Sequence, residues 1–404
     1  MRKSFAGTMI LMIIFFTDVF ARDVNKDSLE NTAQISNQIK KPWYETIQLR
    51  GYAQMRYNGL LETNPNLQCS QCDRSWGGDG GGFFFRRIRM IFSGQIHERI
   101  FMYIQPDLAS GGGNFAQIRD AYFDLGLDAK QEFRLRIGQS KVPFGFENLQ
   151  SSQNRLPLDR NDGLNSAVLN ERDLGIFLYY APSEIRQRFN YLVTSGLKGS
   201  GDYGVFGLGL YNGQTANLPE QNKNFHVVSR ASYPWELPSG QFIETSFQAY
   251  TGKFVINRNP QTDFDQTEFE EFRYGPSIIV YPQPFGIQAE FNWGRGPEYD
   301  PETNEVKDAP LRGGYVMANY FLRTGKDIFI PFSRYHYYKG GKKFELDATR
   351  HRVNELEIGV EWQPNRNFEL VAMYTISDRT FENSLNPNNR QQGSLLRLQA
   401  QVNF

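Results

Sequence analysis

The chain has 404 residues, of which 44 are basic and 44 acidic, so its formal net charge is zero and no basic surplus suggests a nucleic acid partner. The mean hydropathy is −0.54 and no run of about 18 apolar residues follows residue 20, which excludes a bundle of membrane-spanning helices. Aromatic residues make up 15% of the chain, as is typical of a membrane β-barrel with aromatic girdles at both interfaces.

The amino terminus has the features of a secretory signal peptide. Arg2 and Lys3 precede a mostly apolar run over residues 9–20, and Val19-Phe20-Ala21 offers a small-residue cleavage site. A cleaved signal on a chain of amphipathic strands indicates the outer membrane of a Gram-negative bacterium. The expected divisions are a signal peptide at 1–21, a polar periplasmic segment at 22–46 and an outer-membrane barrel at 47–404.

From residue 47 onward, apolar and polar side chains alternate with a period of two, which indicates strands with one lipid-facing and one water-facing side. The first predicted strand, 47–57, turns Arg50 and Arg56 inward, and the fourth turns Asp120 inward. Predicted strands at 83–96 and 132–140 add four inward arginines: Arg87, Arg89, Arg134 and Arg136. Arg86 lies on the outward parity near a strand end, from which it would snorkel or turn inward.

The alternation stops between Lys141 and Arg172. A segment of about thirty residues without a strand pattern is usually functional when it interrupts a compact fold. In a barrel, we expect such a segment to fold into the pore and to narrow it.

The strand pattern then returns in candidates at 173–181, 188–197, 203–212, 224–233, 241–251, 268–281, 285–294, 313–323, 327–338, 352–362, 367–377 and 394–404. Short connections alternate with long ones, as expected for periplasmic turns and outer loops. Because both chain ends should lie in the periplasm, the number of strands must be even. The alternation of short and long connections breaks at 182–202, so the candidate at 188–197 is predicted not to span the membrane. The expected fold is all-β, a transmembrane antiparallel barrel of 16 strands with an inward-folded third loop, wide enough for an aqueous channel.

Several short segments in series resemble the phosphate-selective porin O/P family. They are Phe85-Arg86-Arg87, Arg119-Asp120-Ala121, Ile137-Gly138-Gln139, Phe144-Gly145-Phe146-Glu147, Ser151-Ser152, Leu158-Asp159-Arg160 and the closing stretch from Leu396 to Phe404. Each is weak alone, but together they occur in the family's order over nearly the whole mature chain.

The resemblance implies a trimeric outer-membrane porin for small hydrophilic solutes, phosphate or similar anions among them, with no cofactor. In the family, the narrow zone carries paired arginines, serines on the inserted loop and a nearby arginine. These roles would fall on Arg86, Arg87, Ser151, Ser152 and Arg160, with Asp120 beside them. Where phosphate-binding members have a lysine after the Phe-Gly-x-Glu stretch, this chain has Asn148, so one charge-assisted phosphate contact is missing.

The inward arginines allow two interpretations. Guanidinium groups stay charged and fit phosphate and carboxylate oxygens, so a row of them along a narrow wall would concentrate and pass anions. Alternatively, they pair with lumen carboxylates and keep the barrel hydrated; four glutamates are inward by the same count: Glu290, Glu355, Glu357 and Glu361.

Other function classes are less well supported by the sequence. Cys69 and Cys72 favour a local disulfide over a metal site, because no second CxxC and no histidine occur in the same loop. The sequence contains no G-x-S-x-G motif, which would have indicated a hydrolase. A non-selective general porin, or a structural or adhesion barrel with a plugged lumen, remains an alternative, and pore conductance would distinguish the latter.

Overall fold

A computed structural model of the protein describes residues 42–69, 82–109, 116–260 and 267–404. Sixteen antiparallel strands form one sheet, and the first strand pairs with the last, so the sheet closes into a barrel. In chain order they are β1 Gln48–Leu60, β2 Gly82–His97, β3 Ile100–Asp107, β4 Gln117–Gly126, β5 Phe133–Lys141, β6 Arg172–Tyr180, β7 Phe206–Tyr211, β8 His226–Glu236, β9 Phe242–Val255, β10 Glu268–Val280, β11 Phe285–Asp300, β12 Glu305–Tyr320, β13 Asp327–Gly341, β14 Arg350–Asn365, β15 Phe368–Glu382 and β16 Arg390–Asn403.

The predicted number of 16 strands is confirmed. A short strand, Leu322–Thr324, follows β12 after a break at Phe321. It pairs with β13, as β12 does, and is therefore the continuation of β12.

The alternation read from the sequence separates the two faces of the barrel wall. On β1, Leu49 and Met55 are exposed while Gln54 and Arg56 are almost completely buried. Strand β10 shows the same alternation over its whole length. The outward face of these strands is mainly apolar, and their lumen face carries most of their polar and charged side chains, as is typical of a membrane barrel.

Arg86 departs from its outward parity for a geometric reason. Gln54 of β1 pairs with Arg87, but the next residue, Met55, pairs with Phe85, so Arg86 is the extra residue of a β-bulge. A bulge re-aims the side chain of the extra residue. The side chain of Arg86 is only 22% exposed and approaches Asp159 in the lumen.

The stretch 188–197 is not a barrel strand, as predicted, and its structure is helical. It falls mostly in helix α3, Ser183–Thr194, whose buried residues are Ile185, Phe189 and Leu192. The spacing of four and three residues between these side chains is that of one face of a helix and not that of a strand. Helix α3 lies between β6 and β7, at the barrel end where β1 begins and β16 ends.

The remaining helical elements are short. Helices α1, Phe146–Leu149, and α2, Asp162–Asn165, lie between β5 and β6, and 3-10 turns cover Trp43–Thr46, Leu169–Glu171 and Leu346–Ala348. Within the described ranges, no helix has the length and apolar character needed to cross a membrane. The predicted signal peptide and most of the predicted periplasmic segment lie outside the described residues.

Candidate constriction and anion site

The segment between β5 and β6, residues 142–171, lies inside the barrel and is held by apolar contacts on one side. Val142, Phe144 and Leu164 are fully buried. With Ala167 and Val168 they pack against inward residues of the wall, which are Phe177, Tyr179, Tyr211, Val228 and Tyr250. The predicted inward position of this loop follows from these contacts, because its partners face the lumen from strands β6 to β9.

Polar contacts fix the same segment to β10 and β11. The carboxylate of Glu290 accepts hydrogen bonds from the backbone N–H groups of Phe146, at 2.5 Å, and Glu147, at 2.8 Å. Arg273 donates to the hydroxyl of Ser166 at 2.7 Å and to its carbonyl at 3.0 Å. Backbone groups of an irregular segment need such partners when they are buried, so these wall residues determine the path of the chain.

Strands β13 and β15 hold the loop on the next part of the circumference. Arg334 forms ion pairs with Glu147 of the loop and Glu357 of the wall. Arg379 lies 3.0 Å from the carboxylate of Asp162. The segment that follows β5 is thus held to β13 and β15 as well as to β10 and β11.

Asp159 is the centre of a cationic cluster beside β1, β2 and β16. Its carboxylate pairs with Arg56 at 3.2 Å and with Arg397, and Arg86 approaches to 4.0 Å. Burial would raise the pKa of Asp159, but the guanidinium groups of Arg397, Arg56 and Arg86 hold this pKa well below its usual range. The carboxylate therefore stays ionised and offsets part of a larger positive charge.

Two arginines next to this cluster have no carboxylate partner among the described residues. Arg87 makes one hydrogen bond, to Gln54 Oε1 at 2.8 Å, and its buried Nε has none. Arg155 is 5% exposed, and its Nε and Nη1 are both buried without a hydrogen-bond partner. The charge of Arg155 lies close enough to repel that of Arg87, as do those of Arg56, Arg86 and Arg89.

Arg155 was not predicted from the sequence as a site residue. It lies four residues after Ser151 on the inserted loop, near the place where Asn148 stands instead of the family lysine. The only feature of the sequence that could have indicated its role is the presence of a further basic residue on the inserted loop. Burial lowers the pKa of Arg155, because removal from water disfavours the charged form of the guanidinium.

The predicted serines differ in their surroundings. Ser152 is nearly buried, its hydroxyl lies 2.5 Å from the Tyr52 hydroxyl, and it accepts a hydrogen bond from Arg89 at 3.1 Å. Ser151 is partly exposed, and its carbonyl accepts from the N–H of Asn154. Ser152 is thus engaged within the protein, next to the arginines of β2.

Arg160 and Asp120 are bound to other parts of the loop region. Arg160 pairs with Glu171 at 3.0 Å and donates to Asn148 Oδ1 at 3.2 Å; burial lowers its pKa to about 10. Asp120 accepts two hydrogen bonds from Arg172, at 2.9 and 3.0 Å. Of the residues that the resemblance brought forward, Arg86, Arg87 and Ser152 lie at the cationic cluster, whereas Asp120 belongs to an ion pair beside it.

The arginines of β5 do not extend the cluster. Arg136 makes a two-pronged contact with Asp124, at 2.7 and 2.8 Å, and Arg134 pairs with Asp202 at 2.8 Å. Arg89 pairs with Asp107 at 2.7 Å. Arg50 is exposed at the start of β1, 5.9 Å from the ring centre of Tyr103. Most arginines of the predicted inward row therefore have a carboxylate partner, as expected if these arginines pair with lumen carboxylates.

The cysteine prediction is only partly within the described residues. Cys69 is disulfide-bonded and 8% exposed, and it packs with Leu67 and Leu395. Cys72 lies outside the described residues, so the pairing of the two stays a prediction.

Comparisons with known proteins agree with this architecture. Residues 73–404 match the family model described as phosphate-selective porin O and P. Among solved structures, OmpT of Vibrio cholerae, in trimer form, has a TM-score of 0.56 at 10% identity, with 89% of this chain and 99% of that chain covered. The anion-selective porin of Comamonas acidovorans gives 0.55 at 8% identity, with the same coverage.

The outer-membrane channel DcaP of Acinetobacter baumannii gives a TM-score of 0.52 at 12% identity, covering 89% of this chain and 97% of that chain. At these identities the likeness concerns the fold. No curated protein matches the sequence.

Proposed function

Because this chain belongs to the phosphate-selective porin O and P family and is an outer-membrane porin, a channel rather than an enzyme, we propose that its pore prefers anions and selects them at the cationic cluster. The observation that carries this proposal is the pair of buried guanidinium groups of Arg87 and Arg155, neither of which forms a direct ion pair with a described carboxylate.

Buried N–H donors without an acceptor are costly, and the cost is larger when the donor is charged. An anion beside Arg87 and Arg155 would accept from these donors and relieve the repulsion between the two cations. Most of the other arginines predicted to face the lumen are paired with Asp or Glu. The positive potential that would select anions is therefore concentrated in this one cluster and does not extend along a row of arginines.

The cluster favours small anions in general over a tight phosphate site. The hydroxyl of Ser152 is already bonded to Tyr52 and Arg89, and Arg160 is held by Asn148 and Glu171. These groups are therefore occupied before a phosphate arrives. We expect phosphate to pass as one anion among several, with little block of the chloride current.

The channel is proposed to be limited in size by segment 142–171, which the wall residues fasten across the lumen. The comparison with a trimeric porin structure supports a homotrimer for this protein as well. Native mass spectrometry of the detergent-purified protein would test the trimer; a monomer under mild detergent conditions would contradict it.

The test of anion preference is the zero-current potential of the purified porin in a planar bilayer under a potassium chloride gradient. The wild type should show the sign expected for chloride permeation, and Arg87→Ala should shift the potential toward potassium. Arg312→Ala is the matched control, because Arg312 is an exposed arginine on β12. An unchanged potential in Arg87→Ala would remove this residue from the pathway, and cation selectivity of the wild type would overturn the proposal.

A further inference from the structure

A second buried cluster lies on another part of the lumen wall and has the opposite character. His336 on β13 is the register partner of Glu355 on β14, and Glu357 follows two residues later on the same face. All three are at most 2% exposed. One ligand atom from each of the three side chains lies within 4.8 Å of the others.

His336 is the unusual member of this cluster, because neither of its ring nitrogens has a hydrogen-bond partner. Buried polar groups are almost always hydrogen-bonded, so such a group calls for a ligand. Its Nε2 lies 3.5 Å from Glu355 Oε1 and 3.5 Å from Asp162 Oδ2, the latter on the inserted loop.

These separations correspond to those between ligands that share a metal ion. A contact of 3.5 Å is too long for a good hydrogen bond. In a tetrahedral zinc site with bonds of about 2.0–2.1 Å, neighbouring ligand atoms lie about 3.4 Å apart. The separations of His336 Nε2 from the oxygens of Glu355 and Asp162 are thus close to those between atoms that bind one metal ion.

The positive side chains nearby leave Oε1 of Glu355 and of Glu357 clear. Asp162, by contrast, has a cation near each of its two oxygens, so a metal ion bound at Oδ2 would have to replace the contact with Arg379. Arg334 contacts Oε2 of Glu357 at 2.5 Å, and Arg379 contacts Oε2 of Glu355 at 2.8 Å, so both approach the oxygens other than Oε1. Lys342 binds Oδ1 of Asp162 at 2.5 Å, while Arg379 lies 3.0 Å from Oδ2. With Glu147, four carboxylates face three cations here, which leaves one formal negative charge in excess.

We propose that His336, Glu355 and Glu357 form a binding site for a divalent transition-metal cation, with Asp162 as the ligand from the inserted loop. One imidazole with carboxylates suits Zn²⁺, whereas Ca²⁺ and Mg²⁺ prefer oxygen ligands alone. Because Asp162 belongs to segment 142–171, the bound cation would join that segment to the barrel wall. The site is independent of the anion preference proposed above, since it uses other residues.

The test is isothermal titration of the untagged, EDTA-treated porin with zinc chloride in detergent at neutral pH. We expect one zinc ion per protomer, and His336→Gln should weaken the affinity by roughly tenfold or more, since loss of even an outer-shell partner costs 10–100-fold. His97→Gln is the matched control, because His97 is exposed at the end of β2. Equal zinc affinity in wild type and His336→Gln, or no binding by the wild type, would overturn the site.

A measurement on the unaltered protein keeps the proposal testable if His336→Gln does not fold. X-ray absorption at the zinc edge should show nitrogen and oxygen neighbours at about 2.0–2.2 Å, with the outer scattering of a single imidazole. Zinc coordinated by water alone, or by sulfur, would contradict the assignment. The zero-current potential measured without zinc serves as the separate readout of the anion proposal.

Discussion

The two polar clusters of the lumen differ in which charge lacks a partner. Beside β1 and β2, guanidinium groups outnumber carboxylates, and Arg87 and Arg155 have no acid partner among the described residues. Beside β13 and β14, carboxylates outnumber cations, and His336 has unfilled nitrogens. A chain with zero net charge therefore carries two local clusters of opposite charge, and the anion preference proposed above requires that the permeating ion pass the first of them.

Segment 142–171 contributes to both clusters, through Arg155 to one and Asp162 to the other. Replacing residues 145–168 by a short glycine-serine linker should therefore have the largest effect, a severalfold rise in single-channel conductance together with weaker selectivity. Single-channel recording in planar bilayers measures both quantities. Shortening the 383–389 connection between β15 and β16 is the control, and equal conductance after both deletions would place the segment outside the conducting path.

Asp159→Asn should separate the clusters by disturbing only the cationic one. Removing this carboxylate takes one charge partner away from both Arg56 and Arg397, and breaking a buried pair in this way costs about 3–5 kcal/mol. The temperature at which the barrel loses its compact mobility in gel electrophoresis should fall. Asp378→Asn is the control, since its pair with Arg390 is more exposed and such pairs contribute about 0–1 kcal/mol. Equal decreases of the unfolding temperature in the two variants would show that Asp159 contributes no more to stability than an exposed ion pair.

Arg155→Gln should act on the same cluster with a smaller effect than the loop deletion. It removes one of the two carboxylate-free cations, so the zero-current potential should move toward potassium in the direction expected for Arg87→Ala. The double variant Arg87→Ala with Arg155→Gln should move it further than either single change. A double variant that behaves like the wild type would show that ions pass the cluster without contacting it.

Asn148→Lys should have the smallest effect and should sharpen the distinction between anions. A lysine here adds an ammonium group near Arg160, so phosphate should begin to reduce the chloride current. Asn148→Gln retains an amide without the charge and is the matched control. Phosphate block that is equal in the lysine and glutamine variants would mean that the charge at this position does not decide phosphate binding.

The barrel could be predicted from the sequence because the lipid-facing and lumen-facing sides impose a period of two on every strand. The inserted segment could be predicted as well, since it lacks that period. Arg86 could not be placed, because a β-bulge depends on pairing with β1, and the three consecutive phenylalanines at 83–85 hide the change of parity that accompanies it. The sequence alone does not identify helix α3, because Phe189 and Leu192 of its buried face lie in the stretch 188–197, which also satisfies a short strand pattern.

The clusters themselves were harder to predict, since they depend on residues distant in sequence. Arg155 meets Arg87 only because the loop folds back into the lumen, and Asp162 reaches His336 across the barrel. Inward parity places a side chain in the lumen, but it does not determine its partner. Most of the predicted inward arginines pair with a carboxylate, and the sequence alone does not show which of them lack such a pair.

The ion pairs of Asp159 also bear on how the barrel assembles. Arg56 lies on the first strand and Arg397 on the last, and one carboxylate of the inserted loop contacts both. Asp159 thus bridges the seam at which the sheet closes, next to the direct contacts of Gln54 with Gln401 and of Arg56 with Gln399. Contacts this far apart in sequence form late and slowly. A chain whose loop has not entered the lumen therefore lacks part of the bonding that joins its first strand to its last.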